Sequence, residues 1–466
     1  MGEKFTNTLL AFAGKMQSNR VLNAIKDSFI DNMPVVIMGS FCTLFQFTIC
    51  TTADGYISLA RVPGLSFLEK LTPIFTTANY GCMNFLAVAV VFLIAIHFSE
   101  NIGNAHDNTA PAVALASFVT LITTTTTGTM TAGALAEASN GALTAVDETA
   151  SVTVSVSSVV ASSYTSANGL FVAIIVGILA TLMYSKLKVS GKLSIKLPDS
   201  VPPNVSHSFE VLFPAVLTIL TVSVVGFISN CFGLSVFDLI AKIMSPVKAI
   251  MTGLPGYEVV VFLMILLWWF GIHGANVMSP VTSAFMTQAY AANNALYGAG
   301  IAPAVGASGV VGGVEYTYSI ICNPWVSTFY SSTGSGITGG LIVAILLFSK
   351  RDDYKAIAKL AIPCGIFNIN EPIIFGIPMV MNPLLGIPFF LAPMVCVALG
   401  YITTAIGITP LMVIDAPWTT PCGILGFLAS GGKLMGGVMQ FVIIMGGSTL
   451  IYTPFVIMAN GQAAEA

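Results

Sequence analysis

The sequence predicts an all-α polytopic membrane protein, and three observations carry that prediction. Only 8% of the 466 residues are charged and 55% are hydrophobic, whereas a soluble domain carries about 25% charged residues. The apolar stretches are long and continuous, as at 85–96 and 170–184, where a transmembrane barrel would alternate polar and apolar positions. The basic residues are gathered in blocks: none lies between Lys70 and Lys186. The net charge of −3 gives no footing for nucleic-acid binding.

Taken in order, residues 1–32 are polar enough to lie at a surface. VLNAIKDSFIDNM reads as an amphipathic helix that leads into a first span near 34–50. No cleavable signal peptide is visible. Further spans, each needing about 20 apolar residues, are expected at 83–98, 110–127, 170–184, 209–228 and 257–270. The stretch 129–168 is small and polar, an extramembrane loop with β character in its Val/Ser/Thr alternation. Lys4, Lys15, Arg20 and Lys26 place the N-terminus in the cytoplasm by the positive-inside rule, and Lys186, Lys188, Lys192 and Lys196 do the same for the following loop. Lys350, Arg351, Lys355 and Lys359 mark another cytoplasmic segment. LSVFDLIAKIMSPVKAIMTGL (234–254) suits an amphipathic helix along the membrane surface. These features divide the chain into 1–229 with regular spans, a linker at 230–256, and 257–466 with interrupted ones.

The second part is dense in Gly and Pro within apolar sequence, the pattern that points to a transport site. Its centre is GIFNINEPIIFGIPMVMNP (365–383). Pro372, Pro378 and Pro383 forbid an uninterrupted helix, and broken backbone at membrane depth must line a cavity or pack inside protein. This stretch is therefore expected to be a re-entrant hairpin. Glu371 in its middle is a carboxylate in apolar surroundings, which is expensive unless partnered and marks function by default; capping the next half-helix or pairing with a lysine are the alternatives. From Leu360 onward the only basic residue is Lys433.

His273, in GIHGAN, has glycines on both sides that allow close backbone approach. It is a candidate ligand-binding group, with a plain interfacial histidine as the alternative, and Asn276 stands beside it. Asn368 and Asn370 suit either ligand binding or capping. Trp418, in PWTTP, offers a flat face for a sugar ring or an interfacial anchor, with Thr419 and Thr420 adding hydroxyls. Glu315 is another acid in apolar context. His97, His106 and His207 read as solvated. The eight cysteines are scattered with no CxxC pair, so they read as small hydrophobes. No metal constellation, phosphate-binding loop or nucleophile–base pair is evident, and no cofactor is implied.

GIFNINEPIIFGIPMVMNP, preceded by GIHG and followed by PWTTP, resembles the membrane (C) component of sugar phosphotransferase systems, within the lactose/cellobiose/diacetylchitobiose family. AIKDSFIDNMPVVIMGS, PPNVSHSFEVLFP and STGSGITGGLIVAILLFSK extend the likeness along nearly the whole chain. The resemblance implies about ten spans, two re-entrant hairpins and a homodimer formed through the N-terminal half. It implies that the C-terminal half carries a disaccharide across the membrane in an elevator motion. It assigns the essential histidine and glutamate to His273 and Glu371 and the stacking tryptophan to Trp418. The partners would be a B component phosphorylated on cysteine and an A component upstream; lipid surrounds the chain in a bacterial cell membrane. Residues 306–330 depart from the family pattern, and 129–168 is unusually rich in small residues. On residue physics alone, an ion-coupled secondary transporter using Glu371 as the coupling site fits as well.

Overall fold

The computed structural model describes residues 15, 18–53, 58–104, 107–131, 151–195, 198, 201–377, 379 and 382–462. The start of the N-terminal segment, the centre of the 129–168 loop, His106 and Pro378 lie outside them.

Apolar runs in a bilayer wind into helices because every backbone polar group must be satisfied within the segment. Helix α1 (Arg20–Phe45) starts at Asn19, whose Oδ1 accepts from the Val21 and Leu22 N–H groups at 3.0 and 3.1 Å. It joins the expected amphipathic helix and the first span into one rod, passes through Pro34, and ends in a π-helical turn, Gln46–Cys50. Helices α2 (Thr72–Met83) and α3 (Leu86–Asn101) belong to one passage bent by 42°. Helix α4 (Thr109–Thr120) is shorter than the span expected at 110–127, because the chain turns out at Leu121 into strand β1 (Thr125–Thr131). Strand β1 pairs antiparallel with β2 (Ser151–Ser157), Thr125 opposite Ser157 and Thr131 opposite Ser151, so the alternation at 129–168 does express β structure. After the single turn α5 (Ser162–Thr165) come α6 (Leu170–Val189) and α7 (Pro203–Cys231).

The amphipathic linker is helix α8 (Val236–Thr252), and a 72° bend separates it from α9 (Leu254–Trp269). Helix α10 (Gly274–Gly298) follows. The unusual segment 306–330 holds a hairpin of β3 (Ser308–Val311) and β4 (Val314–Thr317), then α11 (Asn323–Phe329). Glu315 is exposed on β4, whereas Trp325 is fully buried. The rest comprises α12 (Gly339–Phe348), α13 (Asp352–Gly365), α14 (Glu371–Gly376), α15 (Pro383–Ala405), α16 (Ile424–Ala429), α17 (Leu434–Phe441) and α18 (Ser448–Gln462), with a π-helical turn, Val442–Gly447, between the last two.

Among the described residues five helices are long and apolar enough to cross a membrane, or seven if each bent pair is one span. Helices α4 and α12 are apolar but shorter, and α10 has the length but is too polar. The chain is an all-α polytopic membrane protein with two small hairpins.

Helix α3 packs on α1 and α6, and α4 on α6 and α7; separately, α18 packs on α12 and α15, and α15 on α9. Helix α10 lies against α1 and joins the two groups. Polar side chains fix that junction. Asn79 Nδ2 donates to the Gly39 carbonyl at 2.8 Å, to Thr43 Oγ1 at 2.9 Å and to Asn294 Oδ1 at 3.3 Å, while Asn294 Nδ2 donates to the Val413 carbonyl at 3.1 Å. His97 is not the solvated residue that the sequence suggested: its Nε2 lies 2.8 Å from Asp31 Oδ2 and ties α3 to α1. His207 is exposed.

Asn294 is 2% exposed, so removing its amide leaves buried groups unmatched. Asn294→Ala is expected to destabilise the purified protein by about 1–3 kcal/mol, whereas Glu315→Ala on the exposed hairpin shifts stability by less than about 0.5 kcal/mol. Thermal unfolding in one detergent compares them, and equal midpoints would refute the structural role of Asn294.

Candidate functional site

His273 is held by the local backbone. It caps α10, and its Nδ1 accepts the Asn276 N–H at 3.2 Å. A backbone N–H can only donate, so Nδ1 is unprotonated and the neutral ring carries its hydrogen on Nε2. Glycine is required next door: a Cβ on Gly274 would lie 1.9 Å from the Met264 carbonyl oxygen. The Trp268 ring packs at 4.5 Å between centroids from the imidazole, and at 6.5 Å from Phe375 on α14. Trp268 thus bridges His273 to the segment that carries Glu371.

Glu371 is the first residue of α14, with Pro372 behind it in the first turn, where its missing N–H costs nothing. It is half-buried. Among the described residues it has no hydrogen-bond or ion-pair partner. The two candidates that the sequence put 98 positions apart are thus linked through the Trp268 ring: an acceptor carboxylate on α14, and an imidazole whose Nε2 has no partner among the described residues.

Three amides hold the broken backbone around them. Asn368, in the left-handed region at φ 66°, accepts the Thr333 N–H at 2.7 Å on its Oδ1 and donates through Nδ2 to the carbonyls of Trp418 and, at 2.9 Å, Thr420. Asn370 donates to the Ser335 carbonyl at 2.6 Å and to Thr338 Oγ1 at 3.0 Å. Gln440 on α17 accepts the N–H groups of Gly423 and Gly426 at 2.8 and 2.7 Å, and donates to the Thr328 carbonyl and to Ser332 Oγ. These bonds link the 331–338 turn, the Glu371 loop and the PWTTP turn. Gly334, at φ +84°, makes room for Asn370, whose Cγ lies 2.2 Å from where a Cβ would sit.

A cleft of about 260 Å³ opens between α1 and the second half of the chain. Asn276, Ser279, Ser283 and Thr287 face it from α10, and Asn323 and Ser327 from α11. Trp418, 44% exposed, forms part of its wall, as does Asp415. The row of small polar residues at helical spacing explains why α10 is too polar to pass as a span.

The structure therefore links His273 to the segment that carries Glu371 through Trp268, and brings Asn276 and Trp418 into one cleft. Thr419 is half-buried in the turn after Trp418 and does not line the cleft. Asn370 is 4% exposed, with both amide hydrogens engaged. Sequence reasoning missed Gln440, Asp415 and the polar stripe of α10. The stripe's period was legible; Asp415 had no such signal, being a lone acid in an irregular apolar run. Among the described residues no group of three His, Cys, Asp or Glu could hold a metal ion.

The family described as "Phosphotransferase system, EIIC" matches residues 26–393 of this chain. The chain is similar to the PTS system cellobiose-specific EIIC component of Lactococcus lactis subsp. lactis (strain IL1403), with 32% identity over 97% of this chain and 96% of that protein. It is 32% identical to the lichenan permease IIC component of Bacillus subtilis (strain 168), over 97% and 92% of the two chains. The crystal structure of the transporter ChbC, the IIC component from the N,N'-diacetylchitobiose-specific phosphotransferase system, is 28% identical, with a TM-score of 0.82 over 97% of this chain and 96% of that one.

Asn368→Ala would release the PWTTP turn and orphan the Thr333 N–H. Cys422, half-buried next to that turn, reports on it. In a background with Cys82, Cys231 and Cys364 replaced by Ser, Asn368→Ala is expected to speed maleimide labelling of Cys422 several-fold. An unchanged rate would show that other contacts hold the turn.

Proposed function

The chain belongs to the phosphotransferase system EIIC family, and we propose that it binds a β-linked disaccharide of cellobiose, diacetylchitobiose or lactose type and carries it inward for phosphorylation by a separate B component. It is a sugar permease component and a multi-pass bacterial membrane protein. The observation that carries the finer reading is the Glu371 carboxylate, without a partner among the described residues, on a segment that Trp268 ties to His273, together with a polar cleft that has an aromatic wall.

The chemistry follows from those two side chains. A sugar hydroxyl attacks the phosphorus of a phosphocysteine on the B component, the S–P bond breaks, and the hydroxyl proton leaves. With Nδ1 committed to the backbone, His273 offers Nε2–H as a donor that orients the hydroxyl oxygen. Glu371 is the acceptor for the proton. A charge-assisted bond of this kind is worth about 1.5–3 kcal/mol. Asn276 and Trp418 grip the sugar, with Thr419 at the edge of the turn, while Asn370 acts as a positioning residue through the Ser335 and Thr338 contacts. No cofactor enters the scheme. The phosphorylated product is charged and does not return through an apolar route.

We assign the scaffold and dimer contact to 1–229, the linker to 230–256 and the carrier to 257–466. The separate packing of the two halves and the sharp bend after α8 support an elevator stroke. We assign the N-terminus to the cytoplasm on the positive-inside rule, from Lys4, Lys15, Arg20 and Lys26, with the basic blocks at 186–196 and 350–359 on the same side. The homodimer rests on the family resemblance, and the apolar outer face of α7, with Leu220, Val224 and Phe227 exposed, is compatible with it.

Membrane vesicles containing this chain, given radiolabelled cellobiose or diacetylchitobiose, test the reading. Sugar phosphate is expected only when phosphoenolpyruvate and the soluble phosphotransfer proteins are all present, and a protonophore should leave it unchanged. Glu371→Gln should cut the rate by roughly 10- to 100-fold while the protein still inserts. Free sugar accumulating on an ion gradient alone would instead make Glu371 the coupling site of a secondary transporter.

A further inference from the structure

Two nearly buried polar side chains in the cleft have no use in the scheme above. Asp415 is 8% exposed and Asn32 on α1 is 3% exposed. Both line the cleft. Among the described residues Asp415 has no hydrogen-bond or ion-pair partner, and the Nδ2 of Asn32 is buried with none. Lys26, the cation in the same wall, lies 3.2 Å from Asp27. Asp415 is not loosely placed either: the N–H groups of Val413 and Ile414 just before it donate to the Ala429 carbonyl at 2.8 and 3.0 Å.

A fold has no reason to keep an acceptor and a donor both unmatched in one cavity, since each costs free energy until something pairs with it. A carboxylate that accepts several bonds, an amide that donates, and apolar walls from Phe29, Val36 and Trp418 match a polyhydroxylated ring, which has hydroxyls at its rim and C–H groups on its faces. Glu371 and His273 are not part of this lining, so Asp415 and Asn32 do not serve the hydroxyl that is phosphorylated.

We infer that Asp415 and Asn32 form the subsite for the second sugar ring, the one that is not phosphorylated: the Asp415 carboxylate accepts from its hydroxyls and the Asn32 amide donates to one of its oxygens. This rests on the disaccharide reading given above. It has a structural consequence. Asn32 belongs to the scaffold helix and Asp415 to the carrier half, so the second ring is gripped from both sides, and movement of one half against the other separates the two contacts.

The test uses the complete phosphotransfer assay in vesicles, with cellobiose and with methyl β-glucoside, which has one ring. The value of kcat/KM is read from initial slopes at low sugar, where even a weak substrate is measurable. Asp415→Asn is expected to lower kcat/KM for cellobiose by roughly 10- to 100-fold, Asn32→Ala by about 3- to 10-fold, and both should leave methyl β-glucoside within about twofold. Asn32→Ala removes an amide group that donates to nothing in the fold, so it keeps the test valid if Asp415→Asn fails to fold. Equal losses on both sugars, or no loss on cellobiose, would overturn the subsite. Absence of sugar phosphate from the unmodified protein with either sugar would instead overturn the disaccharide reading itself.

Discussion

An ionised carboxylate inside apolar surroundings has to be answered by something, and most of the second half of this chain is arranged around one that the fold does not answer. Glu371 gets no lysine and no capping partner among the described residues. It gets instead, on the far side of the Trp268 ring, an imidazole whose Nδ1 is already committed to the backbone of α10. Burying it without compensation would cost several kcal/mol, so the site must stay polar and accessible, and backbone that is not helical must be stabilised at that depth by other means.

Those means are amides. Asn368, Asn370 and Gln440 supply donors and acceptors to backbone groups that would be paired by a continuous helix. Each bond contributes about 0.5–1.5 kcal/mol net, but the penalty for an unmatched group in an apolar interior is larger, and this asymmetry makes the amides indispensable. Their shape demands also reach the glycines: Gly334 leaves space for Asn370, and Gly274 for the turn that presents His273. The Gly and Pro content that pointed to a transport site in the sequence is thus half of a packing arrangement whose other half is asparagine and glutamine.

That division explains what was legible. Apolar length gave the spans, because a helix is the only open structure that satisfies its own backbone in lipid. A buried acid next to Pro gave Glu371, and flanking glycines gave His273. Asn368 and Asn370 could be read either as ligands or as caps, since an amide serves both with the same atoms; only the positions of Thr333, Ser335, Thr338 and Trp418 show that the backbone takes their hydrogen bonds. Helix α10 was hidden for the opposite reason. Asn276, Ser279, Ser283 and Thr287 lower its hydropathy because they face a cleft rather than lipid, and Asn293 and Asn294 lower it further while being fully buried. Local shortening of α4 and the pairing of His97 with Asp31 depend on contacts from distant sequence that no window contains.

The junction between the halves sets a constraint on any movement. Helix α10 carries the cleft-facing polar row near its start and Asn294 near its end, and both touch the α1 side of the molecule. Asn294 is matched twice over, to Asn79 and to the Val413 carbonyl, whereas across the cleft at the other end the Nδ2 of Asn32 has no partner among the described residues. A stroke of the carrier against α1 would therefore have to break a satisfied polar contact at one end of α10, with a penalty set by desolvated groups. At the other end it gives up contacts that exist only when a ligand supplies them. A bound ring in the cleft would strengthen the end that is weak without it, so occupancy, more than the resting packing, decides how firmly this arrangement of the two halves is held.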